Sequence, residues 1–322
     1  MGPGKIAHKF ATALAGLDNA KIHAVASRSI ERANLFAEKC GIQNVHGSYE
    51  EMMSNPDLDV VYISTPHSQH YENIGMCLEY GIPVLCEKPI TINSHQLEPL
   101  VQLARKKKIF LMEAIMTRFL PTIETTLDLL KSDKLGKIKA IHADFGYKAE
   151  YNPESRLFNP DLGGGCLLDI GIYPVFLCLL LLGSPDDIQA VCTKTGTGTD
   201  GSTAILFRYA NGALANLYCT FEAHTETEAV IYCERGKIRI NPRWSILSSL
   251  SIYIENQHVE ERSFNYKLNG YNYEAEEVMR CLNNGISESP KLSLDFSLQL
   301  ISVLDEIRSR CNIKYPLFET NI

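Results

Sequence analysis

The sequence has 322 residues, 45% hydrophobic and 21% charged, the composition of an ordinary globular protein long enough for two domains. Its formal net charge is −7, and its one basic cluster, Arg105 to Lys108, follows apolar residues at helical spacing, as in a solvated helix C-terminus. We therefore expect no nucleic-acid partner.

The cysteines and the apolar segments bear on the compartment. Ten cysteines are scattered without a Cys-x-x-Cys pair, and Met1 is followed directly by Gly-Pro-Gly-Lys. This favours reduced thiols in a cytoplasmic protein without a signal peptide. The apolar stretch from Cys166 to Leu182 contains Asp169 and Pro174. At about 17 residues it is short for a membrane span, so we predict a buried helix and no membrane partner.

The first third alternates between strand-like and helix-like segments. Predicted strands lie at 21–27, 59–64, 83–86 and 109–116, and predicted helices at 30–40, 69–80 and 94–107. Continuous apolar and β-branched strands with helices between them indicate a parallel sheet buried on both faces. The prediction is an α/β domain, a Rossmann-type doubly wound parallel sheet, at residues 1–118.

After residue 118 the regular alternation of strand-like and helix-like segments ends. We predict helices at 123–131, 167–182, 273–283 and 292–309, and strands at 137–145, 204–209, 213–221, 229–233 and 237–240. Asn211-Gly212 marks a hairpin between two of these strands. The expectation is a C-terminal α+β domain with a large open, mostly antiparallel sheet, at residues 119–322.

A glycine-rich segment opens the chain and fits G-x-G-x-x-A. The first glycine permits a tight turn, the second lets the backbone approach a pyrophosphate, and the small alanine allows close helix packing. The pattern is weak alone, but a helix-like stretch and then a strand follow it. The predicted contacts of the cofactor in this segment are Gly2, Gly4, Lys5, Ile6 and Ala7.

An apolar strand should precede such a loop, and only Met1 does. In the usual strand order that strand is central. We therefore predict a gap between the strand at 21–27 and the strand at 59–64. Either the polypeptide is shortened or its nucleotide site is compromised, and both alternatives stay open at this point.

The residues that follow the predicted strand at 21–27 bear on the choice between NADP and NAD. Binders of the unphosphorylated cofactor typically carry an acidic residue there, whereas this chain has Ser27-Arg28-Ser29. A guanidinium beside hydroxyls suits a 2′-phosphate, so we predict NADP, with NAD as the alternative, and Ser27 and Arg28 as contacts. The alternative is a purely structural role, in which Arg28 begins a helix and does not contact the cofactor.

The segment Thr65-Pro66-His67-Ser68-Gln69-His70 follows the next strand, at the edge where ligands of such sheets bind. We predict cofactor contacts from Thr65, Pro66, His67 and His70. A satisfied loop histidine is the alternative for either imidazole. No Cys, Asp or Glu joins the two histidines at ligand spacing, so we predict no metal site.

Lys88 and Tyr173 are the candidate catalytic residues. Lys88 ends an apolar run in Glu87-Lys88-Pro89, and Tyr173 follows Asp169 by four residues behind a triple-glycine turn. A free phenol with a pKa of about 10 is a poor base, but a nearby ammonium lowers that value. Asp169 shares a helix face with Tyr173 and positions the substrate or Lys88.

These pieces together resemble the Gfo/Idh/MocA oxidoreductase family, over essentially the whole chain. Within it the chain looks most like the branch of dimeric dihydrodiol dehydrogenases and NADP-linked D-xylose 1-dehydrogenases. The matching motifs are Gly2-x-Gly4-x-x-Ala7, Thr65-Pro66-His67, Glu87-Lys88-Pro89, Met112 to Phe119 and Gly163 through Tyr173.

The resemblance implies that Lys88 and Tyr173 flank the substrate over the nicotinamide and that the C-terminal sheet forms a homodimer. Glu87, Lys88 and Arg118, within the matched motifs, complete the predicted cofactor contacts. Phe145 and Phe158 are predicted to line the substrate pocket, with a core position as the even alternative. The branch commonly has tryptophan where this chain has Met116, so one aromatic wall is expected to be absent.

The predicted function is NADP-dependent hydride transfer to or from a hydroxyl carbon of an aldose, cyclic polyol or trans-dihydrodiol. Tyr173 would handle the proton and Lys88 would support it. The alternative is a non-catalytic NAD(P)-binding sensor of the same fold, against which the intact Lys88, Asp169 and Tyr173 argue.

Overall fold

The computed structural model describes residues 1–255 and 257–319 and divides into two compact units. The first unit comprises Met1–Phe119 and Tyr266–Leu298, and the second comprises Leu120–Asn265 and Gln299–Ile322. The first division falls after Phe119, one residue beyond the predicted boundary at 118. Residues 266–298 belong to the first unit, and the later division falls inside a helix. The predicted domain bounds stay a prediction.

The helices and strands alternate first and then separate. In chain order the helices are α1 Lys5–Leu14, α2 Ile30–Cys40, α3 Tyr49–Met53, α4 His70–Glu79, α5 Ser94–Lys107, α6 Pro121–Lys131, α7 Ile172–Leu182, α8 Tyr271–Asn283 and α9 Leu294–Arg310. The strands are β1 Ala24–Ala26, β2 Asn44–His46, β3 Val61–Ile63, β4 Val84–Glu87, β5 Leu111–Ala114, β6 Ile138–Gly146, β7 Asp187–Lys194, β8 Asp200–Arg208, β9 Leu214–Thr220, β10 Ala229–Cys233, β11 Gly236–Ile240, β12 Leu250–Ile254 and β13 Gln257–Arg262.

The strands of the first unit are parallel, as predicted. β4 and β5 are buried along their whole length, which matches their mostly apolar sequences. Several helices begin where a polar side chain accepts a backbone N–H three residues on. Ser29 caps α2, Ser48 caps α3 and Asn93 caps α5. These caps place each helix start just beyond a strand end.

The parallel sheet is divided at the predicted gap. β1 pairs with β2, and β3 pairs with β4 and β5, as two separate sheets. A cleft of about 450 Å³ lies between β1 and β3, lined by both strand edges. The prediction of a gap between these two strands is confirmed.

The second unit contains one eight-stranded sheet, in the order β13-β12-β11-β10-β6-β9-β8-β7. Only the β6–β9 pair within this sheet is parallel, so the sheet is mostly antiparallel, as expected. The Asn211-Gly212 hairpin joins β8 to β9, with Gly212 at a φ of +83°. The elements β2, α3, β7, β12 and β13 were not predicted; β2 and α3 are short, and β13 is polar.

Residues Pro160–Leu182 are long and apolar enough to cross a membrane by composition, with 78% of their apolar window buried in the protein. Val175, Phe176 and Leu177 of α7 are fully buried. A helix that is apolar all round is typical of a protein core. This agrees with the predicted buried helix.

Candidate active site

The glycine loop is seated at the carboxyl ends of β1 and β3. Gly2 has a φ of +78°, and a Cβ there would lie 2.9 Å from the backbone nitrogen of Thr65, so only glycine fits. A Cβ on Gly4 would meet nothing closer than 3.9 Å, so no protein contact demands glycine at that position. Its contact with the cofactor stays a prediction.

Helix α1 starts directly after this loop. Among the described residues none caps it with a side chain, and its first turn contains no acidic residue. Lys5 is exposed, Ile6 is half-buried and Ala7 is buried against the core beside Val25. Uncapped N–H groups and the helix dipole favour an anion here. The residues present therefore fit the pyrophosphate of a dinucleotide.

Ser27 and Arg28 lie where β1 ends. Ser27 is buried, and its hydroxyl accepts the N–H of Ser29 at 3.2 Å. Arg28 is exposed and precedes α2, which begins at Ile30 under the Ser29 cap. Arg28 is thus not part of the helix, and its guanidinium lies in solvent at the ligand-binding edge of the sheet.

In the Thr65–His70 segment, His70 is completely buried. Its Nε2 lies 2.9 Å from the Thr65 carbonyl and its Nδ1 lies 2.8 Å from the Pro89 carbonyl. A neutral imidazole has one N–H and donates to one of these two carbonyls, according to its tautomer. His70 therefore lies between the loop after β3 and the loop that carries Lys88. The burial favours the loop-histidine alternative, and the cofactor contact stays a prediction.

The neighbouring residues of that segment keep their predicted roles as predictions. Thr65 is buried and its hydroxyl accepts Asn73 Nδ2 at 3.0 Å. Pro66 precedes a 3₁₀ turn at His67–Gln69. The His67 ring is buried at 5.8 Å, centroid to centroid, from that of His70.

Lys88 directly follows β4 and is half-buried. The loop after it is held by a carboxylate of the next strand, since Glu113 Oε1 accepts the Ile90 N–H at 3.0 Å. Glu113 Oε2 accepts the Ser297 hydroxyl at 2.7 Å. Arg118 is also buried, and its Nε donates to the Lys291 carbonyl at 2.8 Å. Part of its guanidinium is therefore already hydrogen-bonded within the protein.

Two buried carboxyl groups, those of Glu87 and Glu274, lie close to each other near the end of β4. Glu87 accepts a hydrogen bond from the Tyr62 hydroxyl. Burial, then the nearby Glu87, hold the pKa of Glu274 well above its usual range. Within the described part of the chain, neither oxygen of Glu274 has a hydrogen-bond partner. An unpaired buried carboxylate is costly, so the burial favours the neutral form of Glu274.

Burial raises the pKa of Glu113 to about 7, although Ser297, Ile90 and Lys88 lower it. Because this pKa exceeds the ordinary value, Glu113 contributes stability at low pH that is lost as pH rises through 7. We expect Glu113→Gln to remove up to about 3 kcal/mol of this pH dependence. Urea midpoints at pH 5 and 8 measure it, with exposed Glu276→Gln as the control. Parallel pH dependences of parent and Glu113→Gln would contradict the assignment.

In the second unit Tyr173 lies at the start of α7, after a π-helical turn at Leu167–Gly171. The predicted helix is therefore irregular over its first turn, a distortion often found at functional sites. Gly165 has a φ of +121°, and a Cβ there would lie 2.1 Å from Asp200 Oδ1. Asp200 in turn accepts the Leu167 N–H at 2.7 Å, which fixes the beginning of this turn.

The side chains predicted to act with Tyr173 differ in their burial and in their partners. Asp169 is buried and accepts Arg156 Nη1 at 2.8 Å. The ring of Phe145 is half-buried, 5.6 Å from the Tyr173 ring, centroid to centroid. Phe158 is 3% exposed and packs in a core cluster with Cys166 and Phe221. This burial favours the core alternative for Phe158, and its place in the substrate pocket stays a prediction.

Three supporting residues were assigned no role from sequence. They are Glu113, Asp200 and Tyr315, whose hydroxyl donates to the Gly164 carbonyl at 2.6 Å. A glutamate inside an apolar strand was a usable signal for Glu113. Asp200 and Tyr315 lie 33 and 151 residues from their partners Leu167 and Gly164, so no local pattern indicates them.

Family comparison agrees with this geometry. Residues 1–114 match the oxidoreductase family with an NAD-binding Rossmann fold, and residues 123–239 match the GFO/IDH/MocA C-terminal domain. The chain belongs to the Gfo/Idh/MocA family. It is an NAD(P)-dependent oxidoreductase, and its first unit is the Rossmann domain for a nicotinamide cofactor.

Relatives in this family extend over the whole chain. It is 35% identical to trans-1,2-dihydrobenzene-1,2-diol dehydrogenase of Xenopus tropicalis, over 97% of each chain. It is 33% identical to the human protein of that name, over 97% of this chain and 96% of the other. A 3-ketoreductase from Actinomadura kijaniata, solved with NADP and TDP-benzene, superposes with a TM-score of 0.85 at 26% identity, over 96% of each chain.

Proposed function

We propose that this Gfo/Idh/MocA protein is an NADP-dependent dehydrogenase that acts on a hydroxyl carbon of an aldose, cyclic polyol or trans-dihydrodiol. The observation that carries the proposal is the support of Lys88. The loop after β4 is bonded to the buried His70 through Pro89 and to the buried Glu113 through Ile90. A surface lysine without a role would not need a loop that is held by two buried polar side chains.

In this proposal the nicotinamide, when bound, exchanges a hydride with the substrate carbon. Tyr173 takes the proton of the substrate hydroxyl during oxidation and returns it during reduction. Lys88 orients that hydroxyl and, as a cation, favours the phenolate form. Asp169, which is held by Arg156, positions the substrate rather than carrying the proton.

The named relatives support the substrate class, and a direct assay tests it. The purified protein with NADP⁺ should form NADPH with at least one member of a panel of trans-dihydrodiols, D-xylose and inositols. The sensor alternative predicts NADP⁺ binding with no turnover of any of them. A folded sample without affinity for either NADP⁺ or NAD⁺ would contradict both candidates.

The preference for NADP is assigned to Arg28 and Ser27. Arg28→Ala should raise the dissociation constant of NADP⁺ by about 10- to 100-fold, because a charge-assisted hydrogen bond to the 2′-phosphate is lost. NAD⁺ affinity should change little, since it lacks that phosphate. Calorimetric titration of both cofactors measures this, with exposed Lys39→Ala at the far end of α2 as the control. Equal losses for both cofactors would count against the assignment.

A homodimer through the eight-stranded sheet is the proposed assembly. The sheet exposes Val191, Leu206, Leu214 and Tyr218 on neighbouring strands, and Val191 and Tyr218 both pair with Ala204. Aliphatic and aromatic residues exposed together on one sheet are characteristic of an interface.

Val191→Asp should therefore shift the protein from dimer to monomer, because an unpaired charge would be buried in the interface. Sedimentation equilibrium measures the mass. Leu35→Asp is the matched control, because Leu35 is also an exposed aliphatic residue but lies on α2 of the other unit. A monomeric parent protein would overturn the proposal.

The proposed location is the cytoplasm. All ten cysteines lie in the described part of the chain and are free thiols. Seven of them are buried, among them Cys86, Cys166 and Cys178. Buried thiols behave as small apolar residues, and a reducing compartment preserves them.

A further inference from the structure

Two thiols of the second unit lie side by side at one end of the large sheet. Cys192 is on β7, the last strand in the order of that sheet, and Cys311 is the first residue after α9. The Cys192 Sγ lies 3.5 Å from the Cys311 carbonyl oxygen, and the two side chains hydrogen-bond each other. The two residues are 119 positions apart in the sequence, so only the fold brings them together.

The backbone around both residues is held in place. The Cys311 N–H donates to the Ile307 carbonyl at 3.0 Å, which continues the hydrogen-bond pattern of α9. Lys194 Nζ donates to the Asn312 carbonyl at 3.1 Å, which is a second contact between the same two segments. A disulfide forms only between cysteines that the backbone already brings close together. The segments that carry Cys192 and Cys311 meet this condition.

The two thiols differ in their access to solvent. Cys192 is half-buried, whereas Cys311 is 8% exposed. Burial, then the neighbouring Cys192, raise the pKa of Cys311 to about 12, although Lys194 lowers it. Cys311 is therefore a protonated thiol at neutral pH. Because oxidation of a cysteine follows its exposure and its thiolate character, a dissolved oxidant attacks Cys192 first.

Cys192 lies on the face of the sheet opposite to the proposed dimer interface. Successive side chains of a strand point to opposite faces, and Val191, which belongs to that interface, is the preceding residue. Ile188, which is buried, shares the face of Cys192. A homodimer through the other face therefore does not cover this thiol.

A second pair of thiols in the same unit separates proximity from access. The Sγ atoms of Cys166 and Cys219 are 3.6 Å apart, and both residues are 0% exposed. Burial, then the hydrogen bond with Cys219, hold the pKa of Cys166 well above its usual range. A dissolved oxidant reaches neither sulfur, so this pair is an internal control for the first.

We propose that Cys192 and Cys311 form an oxidation site that reacts with a peroxide and closes reversibly to a disulfide. Hydrogen peroxide transfers one oxygen to the Cys192 Sγ, which gives a sulfenic acid and one water. The Cys311 Sγ then attacks that sulfur, so that the S–S bond forms, the S–O bond breaks and a second water leaves with the thiol proton. Two electrons pass from the thiol pair to the peroxide, and a dithiol reductant restores both thiols.

The disulfide fastens the C-terminal segment of the second unit to β7. Tyr315, beyond Cys311 in that segment, is fully buried, and its hydroxyl donates to the Gly164 carbonyl in the turn before Tyr173. A cross-link across 119 residues restricts the unfolded chain, so the oxidised protein is harder to unfold. Oxidation therefore stabilises the segment that supports this turn, and it requires neither cofactor nor substrate.

Mass spectrometry of the oxidised full chain tests the proposal. After mild treatment with hydrogen peroxide, we expect the peptides of Cys192 and Cys311 to be joined by a disulfide that dithiothreitol cleaves. Cys166 and Cys219 should remain thiols that are alkylated only after denaturation. Oxidation should raise Tm by about 4–10 °C, and reduction should reverse the rise.

Single substitutions locate the site. Cys192→Ser should show no rise in Tm with peroxide, and Cys311→Ser should leave a sulfenic acid on Cys192 that dimedone labels. Cys233→Ser is the matched control, because Cys233 is a half-buried thiol on another strand of the same sheet, and it should behave as the parent. Absence of the joined peptides, a Cys166–Cys219 disulfide in their place, or a Tm rise that survives in Cys192→Ser would each overturn the inference. These samples contain no cofactor, so the outcome is independent of the proposed oxidoreductase function.

Discussion

Lys88→Met should abolish measurable turnover, with kcat falling by about 10³-fold or more, while the dissociation constant of NADP⁺ changes by less than about threefold. Methionine keeps the length and apolar stem of the side chain but removes the ammonium. The substrate hydroxyl then loses its orienting partner, and the phenol of Tyr173 loses the cation proposed to favour its ionised form. Stopped-flow absorbance of NADPH together with calorimetry measures both quantities.

The matched control for this experiment is Lys106→Met, because Lys106 is exposed in the last turn of α5. It should leave kcat and cofactor affinity unchanged. Retained turnover in Lys88→Met would remove Lys88 from the mechanism. Loss of NADP⁺ binding in parallel with turnover would instead assign it to the cofactor alone.

Tyr173→Phe should lower kcat by about 10²- to 10⁴-fold, the usual contribution of a positioned acid or base. The ring contact with Phe145, 5.6 Å between centroids, survives the change. The pH profile is the second readout, since the ionisation that belongs to the phenol should disappear from log kcat.

Tyr151→Phe serves as the matched control, because the Tyr151 side chain is 52% exposed in the same unit. It should keep both the rate and the pH profile of the parent. A Tyr173→Phe variant with parental kcat would show that the proton is handled by another group, and Asp169 would be the next residue to substitute.

Much of the first unit follows from local sequence. α2 and α5 begin and end at the predicted residues, because each has an apolar period and a capping serine or asparagine before it. The gap in the sheet was also predictable, since a glycine loop of this kind requires a strand before it. The return of residues 266–298 to the first unit was not predictable, because chain order carries no record of such a long-range contact.

The candidate site divides in the same way. Lys88 at a strand end and Tyr173 behind a glycine turn could be singled out from residue type and spacing alone. His70 and Phe158 could not be classified, because an imidazole or a phenyl ring has the same local sequence signal in a site and in a core. Their exposed fractions, 0% and 3%, place both side chains in the interior.

The sequence by itself determined the Rossmann and α+β architecture, the glycine loop, the family and the two residues proposed for catalysis, Lys88 and Tyr173. These depend on short-range periodicity and on motifs that lie within a few residues of one another. Only the tertiary structure decided that Asp200 fixes the turn before Tyr173, that Glu113 and His70 hold the Lys88 loop, and that the cleft has two strand edges. Those facts depend on burial and on partners distant in the chain, which hydrophobic patterning does not encode.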